Sequence, residues 1–267
     1  MPESEIATRT SIAGLDAKLS DGVLSVTIDR PDSLNSVTTA VLAGIADTME
    51  HAATDPQVKV VRLAGAGRGF CSGAVMDDDA AGGGPGSEMV AEANRAIRAI
   101  TALPRPVVAV VQGPAAGVGV SLALASDLVL ASDKAFFMLA FTRVGLMPDG
   151  GASALIAAAI GRIRAMRMAL LAERLPAAEA LSAGLVTAVY PAEEFDAEVD
   201  KVISKLLGGP VVAYAKTKDA INAATLTELD PALEREFRGQ SVLLRSHDFT
   251  EGAAAFQQRR TPHFTDR

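Results

Sequence analysis

The chain has 267 residues, enough to bury a sizeable core, and 49% of them are hydrophobic, which excludes a disordered protein. Aromatic residues make up 4% and Trp is absent, so Ala, Val, Leu and Ile must build the interior. The formal net charge of −7 argues against a general nucleic-acid binder and obliges any anionic ligand to find local donors.

The opening residues, MPESEIATRT, lack the basic and apolar regions of a secretory signal. Further on, 15-LDAKLSDGVLSVTIDR-30 places a D-G turn between two runs of period two, which predicts a hairpin. Helical spacing over 37–55 is followed by an apolar strand, 58-VKVVRLAGAG-67, that ends in glycines. The segment 80-AAGGGPGS-87 is too glycine-rich for regular structure and reads as a mobile loop. A helix over about 88–102 leads to the strand 107-VVAVV-111, and the helix after 113-GPAAG-117 gives way at Asp127 to the strand 128-LVLAS-132. Beyond 145-GLMPDGGAS-153 helices are expected over about 152–172, 177–183, 192–207 and 209–224, with two more from about 231 onward. Residues 1–195 thus read as an α/β core and 196–267 as a helical region, whose apolar helices suit packing on another subunit as well as on their own domain. No apolar stretch has the length and purity of a membrane span. The lone Cys71 excludes an internal disulfide framework and fits a reducing cytoplasm.

Two strands run into turns of small residues, 67-GRGFCSGAVM-76 and 113-GPAAGVGVS-121. The second is a partial dinucleotide fingerprint, but Leu122 occupies the third glycine position, so the match is weak. If the backbone N–H groups of both turns face one spot, they form a two-donor hole for an oxyanion, reinforced by the positive end of the helix beginning near Gly117. Spacing alone leaves open that these glycines serve only tight turns.

The motifs 30-RPDSLNSV-37, 69-GFCSGAVM-76, 107-VVAVVQGPAAGVGVSLALASD-127, 145-GLMPDGG-151 and 250-TEGAAAFQQRR-260 together resemble the crotonase, or enoyl-CoA hydratase/isomerase, superfamily. The resemblance implies a spiral of ββα units with a C-terminal helical region that forms trimers or dimers of trimers. It also implies an acyl-CoA thioester substrate, with coenzyme A entering as part of that substrate and no separate cofactor. By matching motifs, the donors that hold the thioester enolate are the N–H groups of Ala74 and Val118. The family usually has glycine where Val118 stands, a change that keeps the donor and narrows the pocket. Leu34 and Met76 fall where relatives wall the adenine, and Phe256 and Arg259 match the aromatic and basic positions of the last helix that reach coenzyme A.

The two glutamates that serve as acid and base in the family's hydratases are replaced here by Ser121 and Phe141, neither of which ionises near neutral pH. That argues against ordinary two-glutamate hydration. Asp149 stands where some isomerases of the family place a functional aspartate, although an Asp before GGASALIAAAI is also a good helix N-cap. A single carboxylate suits Δ3-to-Δ2 enoyl isomerisation, with hydration by an unusual site and non-catalytic acyl-CoA binding as the alternatives. His51, His247 and His263 read as surface or packing residues, Asp77, Asp78 and Asp79 as solvated acids and not a metal site, and Asp127 as a helix-closing or backbone-binding group.

Overall fold

The computed structural model describes residues 12–76 and 86–265. Strands β1 (Leu15–Ser20) and β2 (Val23–Ile28) form the expected hairpin. Asp21 and Gly22 between them both have positive φ, 52° and 85°, the tight-turn geometry that suits strand twist. Helix α1 (Thr39–Ala52) starts where the Thr38 hydroxyl accepts a hydrogen bond from the Val41 N–H at 3.2 Å. Then come β3 (Val60–Gly65), α2 (Ser87–Ala102), β4 (Val107–Val111), β5 (Pro114–Ala116), α3 (Val118–Ala125), β6 (Leu128–Ser132) and β7 (Phe136–Met138). A 3₁₀ turn at Phe141–Val144 precedes α4 (Ala152–Leu171), β8 (Leu175–Pro176), α5 (Ala177–Ala183) and β9 (Ala188–Tyr190). The chain closes with α6 (Phe195–Leu207), α7 (Val211–Thr225), α8 (Leu229–Leu243) and α9 (His247–Gln257).

Six strands build the larger sheet in the order β1-β2-β3-β4-β6-β9, parallel except for the β1 hairpin. Every residue of β4 is buried, as its unbroken apolar run requires of a strand covered on both faces. One face carries the main core with α1, α2 and α3; the other is closed by Phe195, Val199 and Ile203 of α6 against Val60, Val108, Val110 and Leu130.

Strands β5, β7 and β8 form a second, smaller sheet. The pairs β4/β5 and β6/β7 each send one strand to the large sheet and the next to the small one. Isolated bridges Val37–Ala74 and Cys71–Ala115 extend that small sheet back through the earlier units. This stepwise winding is the expected ββα spiral. The strands β5, β7, β8 and β9, two or three residues each, carry too few residues for any sequence period to show. Helix α4, expected to be continuous, breaks at Gly161, whose φ of 77° and ψ of 161° are not helical.

The C-terminal helices dock on the spiral unequally. On α8, Asp230 accepts from Arg98 Nε of α2 at 2.8 Å, and the Leu233 carbonyl accepts from Asn94 at 3.4 Å. Helix α7 buries none of its residues fully, and it leaves Val212 76% and Ile221 56% exposed. Its attachment is polar: Lys218 Nζ donates to Asp127 Oδ2 at 3.0 Å and to the Ile100 carbonyl at 2.8 Å. Asp127 Oδ2 also accepts from the Val107 N–H at 2.7 Å, so it binds backbone as expected and in addition anchors α7. Burial pushes the Asp127 carboxyl up, offset by Lys218, and pulls the Lys218 ammonium down, offset by Asp127. The pair is only partly shielded from water, with 22% of the Asp127 side chain and 8% of the Lys218 side chain accessible. Asp127→Ala is therefore expected to cost about 1–2 kcal/mol of unfolding free energy, mostly through the bonds lost to the Val107 N–H and to Lys218, read as a lower denaturant midpoint at unchanged slope.

Candidate functional site

The C-terminal ends of the parallel strands open into a cavity of about 680 Å³. Its walls come from the Arg30–Ser36 segment, the Ser72–Met76 turn, α2, the Gly117–Val118 corner, β7, the 3₁₀ turn, Asp149, Gln240 of α8 and Phe256 of α9. Two side-chain amides fix the entrance loops. Asn35 Nδ2 donates to the carbonyls of Ala66 and Gly69 at 2.8 and 2.7 Å, and Gln112 Nε2 donates to Gly65, Gly67 and Gly69.

Ala74 and Val118 both line this cavity, and among the described residues neither backbone N–H has an acceptor. Each follows a glycine with positive φ, 103° at Gly73 and 55° at Gly117. The two glycines pack against each other: a Cβ built on Gly117 would lie 3.5 Å from Gly73 Cα. No other residue adopts Gly117's φ of 55° with ψ of −130° without strain. Val118 is the first residue of α3, so its N–H is one of the donors that a helix leaves unpaired. Its side chain is buried toward Gly150, where a built Cβ would meet Cγ2 at 3.4 Å. Two unsatisfied donors beside one cavity suit an oxygen that acquires negative charge.

Asp149 reaches the same cavity and is 8% exposed. Its Oδ2 accepts from Gln240 Nε2 at 2.7 Å, and its Oδ1 has no partner among the described residues. Burial pushes this carboxyl up to about 7; the Gln240 hydrogen bond opposes the rise and the charge of Glu236 adds to it. The alternative role as helix N-cap does not hold. Gly151 occupies the cap position without a side-chain bond, and the capping carboxylate comes from α8. Glu236 Oε2 accepts from the Gly151 N–H at 2.6 Å and Oε1 from the Ser153 N–H at 2.9 Å. Asp149 is thereby released from structural duty at the helix end.

Leu34, Met76, Phe141 and Phe256 all line the cavity. Phe141 opens the 3₁₀ turn and lies 3.8 Å from a Cβ built on Gly117. Ser121, expected as a pocket residue, is fully buried behind the wall, where its hydroxyl donates to the Asp149 carbonyl oxygen at 2.9 Å. Arg259 is exposed past the end of α9 and is not part of the lining, because the chain turns away there with a φ of 54°. Arg260 is held by Glu251 through two hydrogen bonds. Among the described residues, the cations that line the cavity are Arg30, Arg143 and Arg174. His51, His247 and His263 lie outside the lining, as expected. Asp77, Asp78, Asp79 and most of the 80–87 loop lie outside the described residues.

Glu236 and Gln240 escaped sequence reasoning, yet they carried a signal. With Leu229, Ala232 and Leu233 they mark one buried stripe at helical spacing, on which two polar residues replace core ones.

A parallel sheet that delivers two glycine turns to one cavity, completed by helices from its own C-terminus, is the architecture of the crotonase fold. The family model described as enoyl-CoA hydratase/isomerase matches residues 18–267, and the chain belongs to that family. A probable enoyl-CoA hydratase from Rhodobacter capsulatus is 39% identical over 251 residues, 94% of this chain and 97% of that protein. The 1,2-epoxyphenylacetyl-CoA isomerase of Escherichia coli is 36% identical over 249 residues, 91% and 95% of the two chains. A crystal structure of an enoyl-CoA hydratase from Mycobacterium avium subsp. paratuberculosis is 75% identical and superimposes with a TM-score of 0.91, covering 96% of this chain and all of that one.

Cys71, beside the first donor turn, is fully buried, and desolvation pushes its thiol up to about 12. It is expected to stay unmodified by a thiol reagent at about pH 8 until the protein is denatured. Rapid labelling of the folded protein, followed by mass spectrometry, would refute that.

Proposed function

We propose that this member of the family is an acyl-CoA isomerase that shifts a β,γ double bond into conjugation with the thioester, Δ3 to Δ2, with Asp149 as the proton shuttle. The observation that carries the reading is that Asp149 is the only carboxylate among the described residues that line the cavity. The thioester oxygen sits between the N–H groups of Ala74 and Val118. Ionised Asp149 removes a proton from the carbon next to the thioester carbonyl, and the electron pair moves onto the thioester oxygen as a dienolate. The same carboxyl, now protonated, returns the proton to the fourth carbon, so the enzyme ends as it began. Each amide donor contributes about 3–4 kcal/mol of transition-state stabilisation. A carboxyl with a pKa of about 7 suits both halves of this transfer.

Phe141, standing where a hydratase carries an acid, keeps water from that side of the acyl chain. Leu34, Met76 and Phe256 wall the coenzyme A moiety, and Arg30 supplies a local cation for an anionic substrate on an acidic protein. Arg259, exposed beyond α9, suits a coenzyme A held by a neighbouring subunit. The apolar residues that α7 leaves exposed support assembly as a trimer or a dimer of trimers. Hydration is the second reading, favoured by the names of the R. capsulatus relative and the M. avium subsp. paratuberculosis structure.

Incubation with 3-enoyl-CoA and 2-enoyl-CoA separates these readings. Isomerisation is expected to fall about 10³-fold in Asp149→Asn; hydration that survives the substitution would sink the Asp149 mechanism, and binding without turnover would leave a carrier. Because the base acts when ionised, kcat/KM is expected to rise as pH passes through about 7. The same ionisation weakens the fold. The native carboxyl holds a proton that the unfolded chain, with the ordinary carboxylate value of 3.8, has already released. Stability therefore falls as pH rises between those values, and Asp149→Asn is expected to melt above the native protein at about pH 8, with the gain vanishing toward about pH 4. Calorimetry across that range checks the sign.

A further inference from the structure

Gln240 projects from α8 with its whole amide engaged. Nε2 donates to the Met147 carbonyl at 3.0 Å and to Asp149 Oδ2 at 2.7 Å, while Oε1 accepts from the Met147 N–H at 3.2 Å. The two bonds to one backbone residue fix which end of the amide is which. Rotating it by half a turn would set oxygen against the Met147 carbonyl and NH₂ against the Met147 N–H. Gln240 can therefore only donate to Asp149. A carboxyl oxygen that accepts such a bond is the less basic of the two, so a proton arriving at Asp149 favours Oδ1, the oxygen without a partner among the described residues.

Resting on Asp149 as the shuttle, we propose that Gln240 is a positioning residue that confines the transferable proton to Oδ1 and holds that oxygen toward the substrate. A shuttle that serves two carbons of one acyl chain needs this restriction, because a proton parked on Oδ2 would face α8 and not the cavity. The groups around Asp149 leave the task to Gln240. From α8, Glu236 presents only acceptor oxygens, already committed to Gly151 and Ser153. From α3, Ser121 engages the Asp149 backbone carbonyl and not its carboxyl. From the 3₁₀ turn comes the apolar Phe141. Gln240 is 1% exposed and lines the cavity beside Asp149.

The test measures isomerisation against pH for the native enzyme, Gln240→Met, Gln240→Glu and Asp149→Asn, with melting curves and the affinity for a saturated acyl-CoA. Gln240→Met removes the donor and Gln240→Glu keeps the shape while adding an acceptor. Both are expected to lower kcat about 10–100-fold at neutral pH, the worth of one charge-assisted hydrogen bond. KM and saturated acyl-CoA affinity should change less than about twofold. The acid limb should move upward by about one pH unit, since the lost donor had favoured the ionised form. A folded variant whose limb stays at the native position overturns the proposal, and so does loss of the fold in both, which would assign Gln240 to structure alone. Activity retained by Asp149→Asn is a separate failure, of the shuttle itself. An inactive Asp149→Asn beside unshifted Gln240 variants would reject only the role given to Gln240.

Discussion

The backbone contact between Gly73 and Gly117 governs the rest of the site. A Cβ on either glycine would meet the other's Cα at an ordinary 3.5 or 3.7 Å, so the positive φ of the two residues, more than space between them, calls for glycine. Positive φ at both then leaves the following amides, those of Ala74 and Val118, without partners. Backbone N–H groups are rarely left without a protein acceptor, and this fold keeps two such groups beside one cavity. Much of the surrounding framework serves to hold the two turns. The bridges Val37–Ala74 and Cys71–Ala115 tie each turn to its neighbours in the spiral. Asn35 and Gln112, meanwhile, spend their amides on the carbonyls of the 65–69 segment.

The carboxylate is held by different means. Asp149 lies in a loop, and its surroundings are supplied by α8, a helix from the far end of the chain. Glu236 takes over the N-terminus of α4, so the local aspartate need not cap it. Gln240 grips Met147 and Asp149 together. Glu236 also leaves a negative charge near Asp149, with the effect that one buried acid stabilises a helix end while raising the proton affinity of another. The small sheet and α3 supply the two unpaired amides, and the terminal helices supply the setting of the Asp149 carboxylate.

The larger sheet and its helices were legible because their periods are long enough to read: the D-G hairpin, the apolar run of β4 and the amphipathic α2 and α6 all fall where the pattern puts them. Strands of two or three residues were not, since their identity lies in partners far away in sequence. In the site, the glycine turns announced themselves by composition and Asp149 by motif. Ser121 illustrates a different limit: a motif position specifies where a residue sits on a helix, but a smaller side chain there no longer reaches the cavity and turns to the nearest carbonyl. Glu236 and Gln240 were hidden for the opposite reason, because two polar groups inside an apolar stripe read as ordinary interruptions until the loop they satisfy is folded against them.

The 91 residues that separate Asp149 from Gln240 have a consequence for synthesis. The strands, both glycine turns and Asp149 itself precede α8 in the order of synthesis. Until α8 has been made, Asp149 lacks its bond from Gln240, and the Gly151 and Ser153 amides lack Glu236. A segment made late thus sets the surroundings of a loop made early, and the environment of Asp149 waits on α8.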